Sequence, residues 1–176
     1  SNMDNKIKFV GVPNSYTFLT NTLFICKTSR PLVNKTDKAP EYPANSKDKH
    51  PSNDLVEVYI YTVRCKTAPT GYGTWVVCSQ TMGVQPHLSN LHNLRRYKDY
   101  YGLVGNNTTF AVAIYPDVKM TRNTAREKID ADPLLARALE ITHEIAQMHE
   151  VWSERYGQWL TDPETLYTDL TAKGYC

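Results

Sequence analysis

Glycine is scarce in this chain, at 8 of 176 residues, and none of the eight builds a phosphate-cradling loop or a G-x-S-x-G nucleophile elbow. Cysteine is scarcer. Cys26, Cys65, Cys78 and Cys176 match no zinc-ligand spacing, with no C-x2-C and no His pair at a matching distance. The opening "SNMDNKIKF" has no apolar leader, so no oxidising compartment is indicated, and the cysteines read as structural thiols rather than a disulfide framework. Three of them lie in strand-like segments, where a free cysteine packs as a small hydrophobe. No apolar run approaches the roughly 18 residues that span a bilayer, so no membrane contact and a cytoplasmic location are expected. Ser1 and Asn2, ahead of Met3, read as a leftover of expression and are set aside.

What is present is a globular composition, with 41% hydrophobic and 22% charged residues, which argues against global disorder and for one domain over 3–176. Tyrosine stands out at 12 residues, more than the glycines or the prolines. The net charge of +2 hides an asymmetry. Residues 1–122 hold 15 Lys and Arg against 8 Asp and Glu, whereas 123–176 hold 5 against 10. A basic part of that kind fits an anionic partner; an acidic helical set packed beside a basic sheet explains it equally.

The segment "LVEVYIYTVRCK" alternates Val56, Val58 and Ile60 with Glu57, Tyr59 and Tyr61, as a strand does. "TAPTGYG" supplies the reversal and "TWVVCSQTM" the return strand, which predicts a hairpin. Further strands are expected at "KIKFVGV", "YTFLTNTLFICKT" and "TTFAVAIYPDV", the last central and closed by Pro116. Residues 29–54 hold four prolines and no apolar period, a length of loop that needs something to pin it; a neighbouring subunit is one candidate. "HLSNLHNLRRYKDYYG" spaces Leu88, Leu91 and Leu94 as a helix, with Gly102 as its stop signal. Asp132-Pro133 caps a longer one, whose expected apolar stripe runs through Leu134, Ala138, Ile141, Ile145, Met148, Trp152 and Trp159. "TDPETLYTDLTAKG" begins a last helix. Strands first and helices last predict an α+β fold: a mostly antiparallel sheet of about five strands, with helices, including a long C-terminal one, packed on one face.

The hairpin invites comparison with RNA-recognition motifs. "VYIYTV" is similar to their apolar-aromatic motif, but "TGYGTWVV" matches the companion motif only at Gly71, Tyr72 and Gly73. Those motifs are separated by a helix and a strand, here by about seven turn residues, so the chain is not placed in that family. "HPS" at 50–52 and "HLS" at 87–89 loosely resemble the paired motifs of two-histidine phosphodiesterases without their strand setting. In "ITHEIAQMHE", His143 and His149 are six apart, which turns them about 120° from each other on a helix and defeats a zinc site. His143 lies opposite the expected stripe and reads as solvated. No metal and no cofactor is implied.

The physics of stacking does not depend on that family. Tyr59 and Tyr61 share a strand face, Tyr72 and Trp75 extend it, and Arg64 and Lys66 follow on the same strand. "NLRRYKDYYG" interleaves Arg95, Arg96 and Lys98 with Tyr97, Tyr100 and Tyr101, a composition that grips phosphates and stacks on bases. The leading expectation is therefore a non-catalytic binder of single-stranded nucleic acid, RNA ahead of DNA. The alternative is a protein-interaction or self-assembling module, a homo-oligomer whose tyrosines form the subunit interface. Catalytic groups dispersed along the chain leave no local trace, so an enzyme is the third reading.

Overall fold

The computed structural model describes residues 21–34, 38–49, 51–66, 71–97, 102–148 and 163–174. Strand-favouring alternation produces β1 (Thr22–Pro31) and β2 (Leu55–Cys65); the chain then returns as β3 (Gly73–Ser79) and the two-residue β4 (Gly83–Val84). These pair antiparallel in the order β1-β2-β3-β4. The expected hairpin is β2–β3, with Tyr59 opposite Trp75 and Tyr61 opposite Gly73. Gly71, at φ +83°, supplies the left-handed step of the reversal. Two irregularities interrupt β1–β2, one skipping Lys27 and one skipping Val63.

Helix α1 (Pro86–Leu94) starts with proline at its first turn and buries Leu88, Leu91 and Leu94, as their spacing predicts, but it ends at Leu94 rather than at the expected Gly102 stop. It also completes β3. Because β4 pairs only with Cys78 and Ser79, the earlier edge of β3 would be bare; Ser89 Oγ accepts from Val77 N at 2.9 Å, and Asn93 brackets Trp75 through N–H···O bonds of 3.2 and 2.7 Å.

A second antiparallel sheet follows: β5 (Leu103–Gly105), β6 (Phe110–Val112) and β7 (Tyr115–Met120). The single central strand expected over "TTFAVAIYPDV" is thus corrected, since the chain turns at Ala113 and Ile114. Pro116 sits inside β7, an edge strand where a missing N–H costs nothing. The α+β class holds, with the strands divided between a four-stranded and a three-stranded sheet.

Helices α2 (Ala125–Ala131), α3 (Pro133–Gln147) and α4 (Pro163–Ala172) complete the described chain. Asp132 caps α3, its Oδ1 accepting from Leu134 N and Leu135 N at 3.0 and 3.3 Å. The expected stripe needs correction at its start: Leu134 is 51% exposed, while Leu135, Ala138, Leu139, Thr142 and Ala146 are fully buried. Helix α3 is clamped between α1 and the β6–β7 hairpin, which widens and rotates its covered arc. Trp152 and Trp159 lie outside the described residues, so the helix seen is the 15-residue α3 rather than a long C-terminal one. No helix among the described residues is long and apolar enough to cross a membrane.

The proline-rich segment is pinned by its own chain. Glu41 N bonds Leu32 O at 3.0 Å, Val33 bridges Pro40, and Tyr42 drops into the core at 1% exposure. The thiols depart from expectation: Cys26 is exposed, and Cys65 and Cys78 are half-buried. The three are unbridged.

Candidate nucleic-acid interface

Odd-numbered residues of β2 and β3 point to the side that α1 covers. At one end of that face Leu55, Glu57, Val77 and Ser79 are buried; at the other Tyr59, Tyr61 and Trp75 are half-exposed, because α1 stops short of them. Tyr59 and Trp75 form a tilted pair, ring centroids 4.9 Å apart at 44°. The Tyr59 phenol lies across Gly73, where a Cβ would run into it. Lys27, the unpaired residue of β1, sets its ammonium 3.9 Å from the centre of the Tyr61 ring. Two guanidinium groups lie over Trp75, Arg96 at 4.1 Å and Arg30 at 5.3 Å. The result is a ridge of flat rings interleaved with cations.

Glu57 anchors the cations. It is 3% exposed, and its carboxylate accepts from Arg30 Nε, Arg96 Nη2 and, at 2.8 Å, His92 Nε2. Burial alone would raise this carboxyl; the hydrogen bonds from His92 and Arg30 and the charge of Arg96 overcome it and bring it down to about 2. A buried carboxylate held ionised fixes both guanidinium groups where they can cover Trp75.

Beside the ridge a cleft of about 510 Å³ opens between β1, the 38–42 segment and the end of α1. Arg30 and Arg96, which also cover Trp75, line it together with Arg95 and Arg122. Arg122 pairs with Glu41 at 2.5 Å. Among the described residues Arg95 meets no carboxylate: it donates to Tyr42 Oη at 3.2 Å and Asn107 O at 3.4 Å, and lies 4.8 Å over the Phe110 ring. Burial pushes the Tyr42 phenol above its ordinary range, with Arg95 acting the other way, so it stays a neutral donor and acceptor.

The residues singled out from sequence therefore separate into groups. Tyr59, Tyr61, Trp75 and Arg96 converge on the ridge, and Arg95 faces the cleft next to it. Tyr72 and Tyr97 turn to the end of α3 instead. Tyr72 Oη accepts from Gln147 Nε2 at 3.2 Å, and the Tyr97 ring lies nearly parallel to His143 at 6.4 Å. Arg64 is half-buried beyond the Val63 irregularity, which breaks the strict alternation from Tyr61, and Lys66 is exposed past the strand end. Lys98, Tyr100 and Tyr101 lie outside the described residues. His143 is corrected from solvated to buried, and burial lowers it to about 4. Among the described residues no group of three or more His, Cys, Asp or Glu is placed to hold a metal ion.

Sequence reading missed Lys27, Tyr42, Glu57, His92 and Arg122. A trace of Glu57 was there: it is the one acid in an apolar strand and shares the parity of Tyr59 and Tyr61. His92 follows Leu91 and precedes Asn93 on a helix whose whole last turn is buried, which no periodicity announces. No family model, no curated protein and no solved structure matches this chain.

Proposed function

We propose that this protein binds single-stranded nucleic acid, RNA ahead of DNA, on the Tyr59–Trp75–Tyr61 ridge. One observation carries the reading: half-exposed aromatic rings and the guanidinium planes of Arg30 and Arg96 share a single surface, held there by an ionised, buried Glu57. Unpaired bases stack on aromatic rings and on guanidinium planes alike, so Arg96 over Trp75 is itself a stacking layer. Lys27, Arg30 and Arg96 supply phosphate contacts alongside. Such a surface reads flatness and charge, not base edges, and sequence preference is weak.

The test is anisotropy of a labelled oligonucleotide, RNA and DNA in parallel, across a salt series. Binding that weakens steadily with salt supports the reading, since each phosphate contact adds to the slope. Absence of binding at low salt sinks it. Self-assembly is the second reading, favoured by Phe24, 59% exposed on the edge strand β1. Light scattering separates the two: a stable oligomer that covers the tyrosines favours assembly, a monomer that binds the oligonucleotide favours the ridge.

A further inference from the structure

The cleft shares Arg30 and Arg96 with the ridge, and adds to them Lys38, Arg95 and Arg122 around a concave space. We infer that it is a binding site for a phosphomonoester, and that on a bound strand it takes the terminal phosphate. This deepens the preceding reading and, for the strand end, rests on it.

Five cationic side chains, Arg30, Lys38, Arg95, Arg96 and Arg122, meet two carboxylates there, Glu41 and Glu57. Glu57 serves Arg30 and Arg96 together, and Glu41 serves Arg122. Among the described residues Arg95 has no carboxylate partner, and the Lys38 ammonium has no hydrogen-bond or ion-pair partner. The excess of positive charge suits a group carrying about −1.5 to −2 near neutral pH, which a phosphomonoester does. An internal phosphodiester carries a single charge.

The cations arrive from different elements. Arg30 comes from β1, Lys38 from the segment after it, Arg95 and Arg96 from the end of α1, and Arg122 from the turn before α2. Donors converging on a concave space match a tetrahedral group with several free oxygens and one exit for the rest of the molecule. A phosphate inside a strand needs two exits and is better served by the open ridge.

The backbone gives an independent indication. Lys38 at φ +58° and Tyr42 at φ +53° are the two non-glycine residues with positive φ among the described residues, and both line this cleft. Bulky side chains adopt that conformation at a cost, and such residues cluster at ligand clamps. Here the Tyr42 ring is buried, and Lys38, four residues earlier, lines the cleft with an exposed side chain.

The experiment compares an octanucleotide with a 5′-phosphate, a 3′-phosphate or hydroxyls at both ends, by anisotropy. Uridine monophosphate and inorganic phosphate are titrated alone, by thermal shift. Lys38→Asn removes the charge and keeps a residue that tolerates positive φ. One phosphorylated end is expected to bind roughly tenfold or more tightly than the hydroxyl-ended strand, as one added charge-assisted hydrogen bond would give. Lys38→Asn removes most of that gain and leaves the hydroxyl-ended strand bound as before. Equal affinity for all three strands, with no stabilisation by either small anion, overturns the cleft and leaves the ridge standing. Stabilisation by uridine monophosphate that Lys38→Asn abolishes, with no strand bound, upholds the cleft and defeats the ridge. A response to inorganic phosphate equal to that of the mononucleotide assigns recognition to the phosphate group alone. No response from any strand or small anion overturns both.

Discussion

Replacing Glu57 with glutamine changes one atom and deletes the charge on which three partners depend. In the native cluster Glu57 is 3% exposed and accepts from Arg30, His92 and Arg96. Glutamine keeps one carbonyl acceptor and brings an NH2 that faces donors. Breaking a buried ion pair from one side costs about 3–5 kcal/mol. The side chains of Arg30 and Arg96 are 53% and 33% exposed, so both guanidinium groups can turn toward water and recover part of that loss. A net cost of about 2–3 kcal/mol follows, with His92 left as the buried donor that cannot escape. For a domain of this size that is a fall in Tm of roughly 4–12 °C, read by calorimetry. The pH dependence is a second readout. Glu57 titrates lower in the folded state than in the unfolded one, about 2 against 4.5. Its contribution is complete above the unfolded value and is lost as pH falls toward the folded one. The gap between native protein and Glu57→Gln must therefore narrow below about pH 4.5. A variant that melts with the native protein, or a gap that ignores pH, would refute the claim that Glu57 organises the arginines.

Trp75→Ala should weaken oligonucleotide binding by about 1–3 kcal/mol, the worth of one stacked base, with an unchanged far-ultraviolet circular dichroism spectrum. Gly73→Ala places a Cβ in the space of the Tyr59 phenol and should displace that ring; a loss of affinity approaching that of Tyr59→Ala is expected from the same assay. His143 is buried, 9% exposed, and titrates near 4 against an ordinary 6.5, so the unfolded chain takes up the proton first as pH falls. Denaturant titration should show about 2 kcal/mol less stability at pH 5 than at pH 7, a loss that His143→Gln removes.

The β2–β3 hairpin was legible because it is written locally: alternation over 55–65, then Gly71, then a second aliphatic run. Helix α1 and the cap of α3 were legible for the same reason, in Leu88-Leu91-Leu94 and Asp132-Pro133. What failed depended on partners distant in sequence. Leu134 has the spacing of a core residue and is exposed, whereas His143 has the look of a surface residue and is buried; the clamping of α3 from two sides decided both. The split of "TTFAVAIYPDV" into β6 and β7 has no glycine or asparagine at its turn, only Ala113 and Ile114, so no turn residue marks it. The candidate site was half legible. Tyrosine parity placed the ridge, and Arg95-Arg96 marked its flank. The acid that fixes the ridge cations lies 39 residues before Arg96 and 27 after Arg30, and only the fold brings the three together. Tyr42, which turns a proline-rich loop into a cleft wall, carries no local mark of burial at all.

The most direct measurement is photo-crosslinking of a single-stranded RNA carrying 5-bromouridine, followed by mass spectrometry of the linked peptides. If the ridge is where bases stack, the linked residues are Trp75, Tyr59 and Tyr61, and the yield falls as salt rises. Crosslinks confined to other surfaces, or none at low salt, would contradict the account.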